Sequence, residues 1–437
     1  MASLLLLAAL FVSGTPKAAA QEAAAAGGAQ QKYTMAEYNS YQAAAAEKNP
    51  AAQIKLLDDF VAKYPNSALL NYVYPLYYRN YFAQKNFPKT IEFCDKMLGL
   101  GDKLTPGEKY EAYSYRANAY NAIPNPDVET SKAARAAALA TLKVLDQLPK
   151  PEGIDDAKFA ADKKQSTVVF NGTAANAAMN AKDYAGAIES YKAVLAIVPD
   201  DLISNYKLGQ AYMATNPPQQ LDGMWFYARS ATNKNATEQQ AKSLKGFLRK
   251  LIGNYQGNTV CDPLTDAEMN ELLQLAPNSV DRPATYKLAS SADLDAARKD
   301  MTIASVVTDL KAGGDKAKLT WTASCGLEFP DVPGKMIDVI PSTDTVELKV
   351  AFVTSDAEFQ AATNPDMDVI IKLADQPTAA KLEKGNPVRF TATLESYDPD
   401  PAFMLHWDKA KVNEEDLPKD TPKKPAHKAP AKKPGKS

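Results

Sequence analysis

Two histidines, three cysteines and 52 carboxylates are the side chains from which this sequence would have to build a reactive centre. His406 sits between Leu405 and Trp407 in a strand-like stretch, and His427 lies in a Lys- and Pro-rich tail. A centre needing several imidazole ligands is thereby excluded, and Cys94, Cys261 and Cys325 form none of the close pairs of a structural zinc site. A Ser/His/Asp arrangement would have to use His406, and no GxSxG elbow accompanies it. Gly334-Lys335 lacks the earlier glycine and the following Ser or Thr of a phosphate-binding loop. Carboxylates gather in YDPDP (Tyr397 to Pro401) and NPDMD (Asn364 to Asp368). There Asp and Pro set turns, and the spacing is not that of a calcium loop. The expectation is a chain with no catalytic residues, no metal and no cofactor.

The odd cysteine count allows one bridge at most, so this is no disulfide-built scaffold. Cys261 and Cys325 lie outside the helical first half and are candidates to pair, Cys94 suits a core position, and three buried thiols are the alternative. The start, MASLLLLAALFVSG followed by TPKAAAQE, has an apolar run and then Ala18-Ala19-Ala20. A secretory signal over 1–20 with cleavage after Ala20 is expected, although no Lys or Arg precedes the apolar run. The run is shorter than the roughly 20 apolar residues of a membrane span. With no Cys after it, lipoprotein processing is not expected. The mature chain is expected to be periplasmic or secreted, with no transmembrane segment.

Charge is uneven along the chain. The tail from Pro418 to Ser437 holds seven Lys and one Asp, a balance of +6 that leaves −8 for the rest of a chain with net −2. Rich in Pro, Lys and Ala, it has little to bury and is expected to be disordered over 414–437. Residues 21–33 form a small-residue linker.

The elements that must position any site show themselves as a repeat. Asn171 begins NGTAANAAMNAKDYAGAIESYKAVLAIVP, and 34 residues later Asn205 begins NYKLGQAY. Tyr184, Ala187, Tyr191, Val194 and Pro199 are spaced 3, 4, 3 and 5, while Leu208, Gly209 and Tyr212 open the next unit. This resembles the tetratricopeptide repeat, in which small residues let two antiparallel helices approach and neither helix buries its apolar face alone. Looser units lie at Tyr113, Ala117 and Tyr120 with Ala137, Val144 and Pro149, and at FVAKYPNS from Phe60. The resemblance implies a multidomain chain whose 34–256 region is an all-α superhelix of about five helix pairs, capped by the amphipathic KSLKGFLRKLIGNY.

Beyond a helical connector over 257–326, which includes TDAEMNELLQLA with Thr265 and Glu268 as a capping box, the period changes to two. GKMIDVIPS, TVELKVAFV, DVIIKLA, NPVRFTATLESY and FMLHWDKAKV are five expected strands in a small mostly-β domain over 327–413, with a helix expected at PTAAKLEKG. The order, with Lys384-Gly385 before Val388, Phe390 and Ala392 and then Phe403, Leu405 and Trp407, resembles small OB-fold barrels of the anticodon-binding type. The departures are Asn386-Pro387 after the Lys-Gly, and Ala392 where such families often place Gly. Residues 327–412 carry eight Lys and Arg against fifteen Asp and Glu, the wrong balance for nucleic acid.

In a superhelix, first-helix residues beside the packing positions line the inner face. These are Asn118, Asn176, Met179, Tyr206, Gln210 and Met213. The aromatic stretch NYVYPLYYRNYF divides on the same register. Tyr74, Tyr77, Tyr78 and Tyr81 fall on packing slots, with Tyr78 in a slot meant for a small residue, while Tyr72, Arg79 and Phe82 face inward beside a helix-kinking Pro75. Asn and Gln can bond a partner's backbone, and Met adapts to varied side chains. The expected function is a non-catalytic exported scaffold for a protein or peptide partner. The alternative is a module for cell-envelope polymer, peptidoglycan or an anionic glycan, that uses the barrel and the basic tail.

Overall fold

The computed structural model describes residues 32–419. The expected signal, most of the linker, and the tail from 420 with its His427 lie outside the described residues. Two compact units emerge, one of the residues up to Leu248 with Leu272–Tyr286, the other of Arg249–Glu271 with the residues from Lys287 onward.

The first unit is built from helix pairs. In chain order the helices are α1 (Met35–Ala46), α2 (Pro50–Lys63), α3 (Leu70–Ala83), α4 (Phe87–Leu98), α5 (Pro106–Asn121), α6 (Val128–Gln147), α7 (Asp156–Asn180), α8 (Tyr184–Ile197), α9 (Leu202–Met213) and α10 (Gln220–Ala231). The following α11 (Glu238–Tyr255) closes the series. Their starts are written in the caps. Thr34, Asn49, Asn86, Thr105, Asp127, Asp155, Asp183 and Asp201 each accept a bond from a backbone N–H of the first turn. Their ends follow the breakers, as α8 stops two residues before Pro199.

From α1 to α10 each helix packs against the next, and the first helices of neighbouring pairs, α3 with α5 and α5 with α7, also touch. The 34-residue register predicts close approach at Gly209, and there α9 meets α10. A Cβ on Gly209 would stand 3.1 Å from the Gly223 carbonyl and 3.3 Å from the Tyr227 ring. Ala175, one 34-residue period before Gly209, and Ala187 of α8 also have no exposed surface.

The tyrosine stretch forms α3, which runs through a buried Pro75. Tyr77 and Tyr78 are buried, whereas Tyr74 and Tyr81 are half-buried. Three of them surround Phe93 of α4, with ring centroids 6.2, 3.9 and 5.6 Å away for Tyr74, Tyr77 and Tyr81. Tyr78 turns to the next pair instead, 5.0 Å from the Tyr115 ring on α5.

Next come α12 (Asp262–Leu275), which belongs to the second unit up to Glu271, and then α13 (Ser291–Arg298), α14 (Ile303–Ala312) and α15 (Gly314–Ser324) of the second unit, which precede the barrel. α14 stops at Gly313, which has φ 71°. The expected cap at Thr265 is absent. Pro263 is tolerated in a first turn, so α12 begins at Asp262, and Thr265 lies inside it, donating to the Cys261 carbonyl at 3.2 Å. Cys261 and Cys325 form a disulfide with Cα atoms 5.6 Å apart, and Cys94 is a free buried thiol.

The strands are β1 (Glu328–Pro341), β2 (Thr345–Phe352), β3 (Met367–Lys372), β4 (Pro387–Asp398) and β5 (Met404–Val412). They close in the order β1-β2-β3-β5-β4, with β3 and β5 parallel and the other pairs antiparallel. This is an OB-like barrel. Period-two alternation puts Leu348, Val350, Val369, Phe390, Leu394, Leu405 and Trp407 inside, and Val306, Val307 and Leu310 of α14 join the same core. Gly334 pairs with Phe352 of β2 and Val388 of β4 at once. A Cβ there would collide with Val350 Cγ1 and lie 3.0 Å from the Ala351 carbonyl.

Two expectations between strands are corrected. PTAAKLEKG makes only a single 3-10 turn, Pro377–Lys381, because Gly385 and Pro387 leave no room for a longer helix. The helix lies earlier, as α16 (Asp356–Ala361), capped by Ser355 bonding the Glu358 N–H.

Candidate partner-binding face

The groove residues expected from sequence sit on the first helices α3, α5, α7 and α9, in three groups. The first surrounds Glu111 of α5. Arg79 of α3 donates Nε to Glu111 Oε1 at 2.6 Å, and its Nη2 lies 2.6 Å from the same oxygen. The Glu111 side chain is 3% exposed and that of Arg79 34%. Burial holds the Glu111 pKa above the ordinary carboxylate value, although Arg79 and the Tyr78 hydroxyl pull it back. Phe82 meets Tyr115 edge-on at 5.4 Å and Phe87 at 6.0 Å, and Tyr72 lies 6.1 Å from the Tyr41 ring. All three side chains are half-buried and packed, and Asn71 Nδ2 extends the seam by donating to Glu108 at 2.9 Å. Arg79, Phe82, Glu111 and Tyr115 thus tie α3 to α5, while Asn118, further along α5, is half-buried.

The second group is on α7. Asn176 is exposed and accepts from the Tyr191 hydroxyl of its own pair at 2.8 Å, and Met179 packs beside that core. The link back to α5 runs through Tyr110, whose hydroxyl donates to Ser166 at 3.1 Å and whose ring meets Phe170 edge-on. On α9, Gln210 Nε2 donates to the Tyr206 hydroxyl at 3.0 Å, Tyr206 leans on Tyr227 at 5.6 Å, and Met213 covers Gly223. Ile203, one turn before Tyr206, is 66% exposed and extends this face. The structure therefore brings each group together locally.

Two buried charged residues, Glu111 of this seam and Arg229 of α10, were not foreseen from the sequence. Glu111 sits in YEAYSY, where nothing marks it as buried. Arg229 carries a better signal, a charge within the apolar run MWFYARSA, and it is 5% exposed.

On the barrel, His406 Nε2 lies 2.9 Å from Asp398 Oδ2 and Nδ1 3.4 Å from Asp368 Oδ2. Asp368 also pairs with Lys349 at 2.7 Å, so a polar row crosses β2, β3 and β5. No group of three potential ligands suited to a metal ion occurs among the described residues. No helix among them is long and apolar enough to cross a membrane.

The fold and this face define a class, a helix-pair repeat joined to an OB-like barrel. No protein-family profile matches the chain, and no curated protein matches it either.

Proposed function

We propose that this chain is an exported, non-catalytic adaptor of the tetratricopeptide type, which holds an extended segment of a partner protein along α3, α5, α7 and α9. The observation that carries the proposal is the direct stacking of successive first helices, through Arg79 with Glu111 and through Tyr110 with Ser166. Such stacking sets α3, α5 and α7 side by side, α9 follows through its packing on α8, and the side chains left over, Asn176, Gln210 and Met213 among them, are amide and thioether groups suited to a peptide backbone and varied side chains. The Cys261–Cys325 bridge supports export, because structural disulfides persist outside reducing compartments.

A photoreactive residue placed at Gln210 or at Asn176 should give a discrete crosslinked adduct in the cell envelope. The same group at the exposed Leu139 of α6 should not. Equal adduct formation at all three positions, or none at the first two, contradicts the proposal.

A further inference from the structure

The loop after α8, the loop after α10 and the 3-10 turn Ala276–Asn278 enclose a cavity of about 240 Å³ within the first unit. None of the residues placed on the first-helix face above lines it. Arg229 lines it with a side chain 4% exposed. Nε donates to Asn205 Oδ1 at 2.8 Å, Nη1 to the carbonyls of Ala276 and Ser279 at 2.9 and 2.5 Å, and Nη2 to the Pro199 carbonyl at 2.8 Å. Every one of these acceptors is neutral. The nearest carboxylate oxygen, Asp200 Oδ1, stands 3.8 Å from Nη2, beyond hydrogen-bonding reach, on a side chain 68% exposed. A buried guanidinium compensated by carbonyl dipoles and one loose surface carboxylate is an incomplete ion pair. Burial lowers its pKa, and Asp200 and Asp281 offset this only in part.

Further donors line the same cavity. Asn233 spends one Nδ2 hydrogen on the Asp200 carbonyl at 2.9 Å and keeps the other. Lys234 is exposed and in no ion pair among the described residues. The Thr232 hydroxyl donates to the Ala228 carbonyl at 2.9 Å and so offers only an acceptor. Arg229 and Lys234 against Asp200 leave one net positive charge, which matches a monoanion better than a phosphate dianion.

We propose that this cavity binds a small carboxylate, taken by the remaining Nη2 hydrogen of Arg229, by Asn233 Nδ2 and by Lys234, in competition with Asp200. A free organic acid and the C-terminus of a peptide present the same group.

Calorimetric and amide-NMR titrations of the mature chain with acetate, a short peptide acid, the same peptide as its C-terminal amide, and inorganic phosphate test this. Saturable binding of acetate or the peptide acid, with none of the amide, is expected. A tighter peptide acid assigns the site to a chain terminus, and a tighter acetate to a free acid. Lys234→Ala should weaken binding and Asp200→Asn should tighten it, each by about fivefold, the size expected for an exposed charge. Both positions are exposed, so circular dichroism should show the fold intact. Absence of saturable binding, phosphate binding as tightly as the acid, or either variant failing to shift in its stated direction overturns the assignment.

Discussion

Removing Arg79 should reveal that the inner face is also a structural seam. Arg79→Ala deletes the cation that lies 2.6 Å from Glu111 Oε1 and leaves a carboxylate 3% exposed without its charge partner. Breaking a fully buried pair costs about 3–5 kcal/mol and an exposed one about 0.2–1 kcal/mol. With Arg79 itself 34% exposed, solvent screens part of the interaction, and about 2 kcal/mol is expected. For a unit of this size that lowers Tm by about 4–8 °C. The assay is urea and thermal unfolding of the single variants and of the pair with Glu111→Gln, taken as a double-mutant cycle. The double variant should recover most of the loss, since the amide removes the unpaired charge. A loss below about 0.5 kcal/mol, or no recovery in the double variant, refutes the reasoning about a buried carboxylate.

The same residue sets a pH dependence. With a folded pKa raised above the unfolded value near 4.5, Glu111 binds more protons in the native state between those two values. The stability of the wild type minus that of Glu111→Gln should therefore rise as pH falls from 7 toward 4.5. A difference that is flat or of opposite slope in denaturant titrations contradicts this. Cys261 and Cys325 close a loop of 64 residues, so Cys261→Ser should cost the second unit about 4 kcal/mol in urea unfolding, with less than 1 kcal/mol counting against an entropic staple. At Gly334 a methyl group has no space between β1 and β2, and Gly334→Ala should destabilise the barrel by about 1–3 kcal/mol. An unchanged barrel transition in that variant contradicts the close approach.

Some helix boundaries depend on a few neighbouring residues, as where α8 stops before the repeat's closing Pro199. The 34-residue register also located Gly209, since two helices crossing at contact distance demand a small residue there. What escaped was decided across sequence distance. The burial of Glu111 depends on Arg79, 32 positions earlier, and the anchoring of Arg229 depends on carbonyls at 276 and 279. The pairing of Cys261 with Cys325 was one of two open alternatives, because only the fold brings their Cα atoms within 5.6 Å. The helix expected at PTAAKLEKG failed on local chemistry, as the pattern there is too short between breakers, whereas SDAEFQA has the cap it needs.

The groove is tested most directly by a variant that changes its surface at three positions. Asn176→Ala, Gln210→Ala and Met213→Ala together touch side chains whose recorded hydrogen bonds are one from the Tyr191 hydroxyl to Asn176 and one from Gln210 to the Tyr206 hydroxyl. The purified variant and the wild type should be compared for equilibrium binding to the protein captured by the crosslinker at Gln210, with Tm measured alongside. A Kd weakened about tenfold or more, with Tm lowered by no more than a few degrees, is the predicted result. An unchanged Kd at full stability contradicts a partner-binding role for the first-helix face.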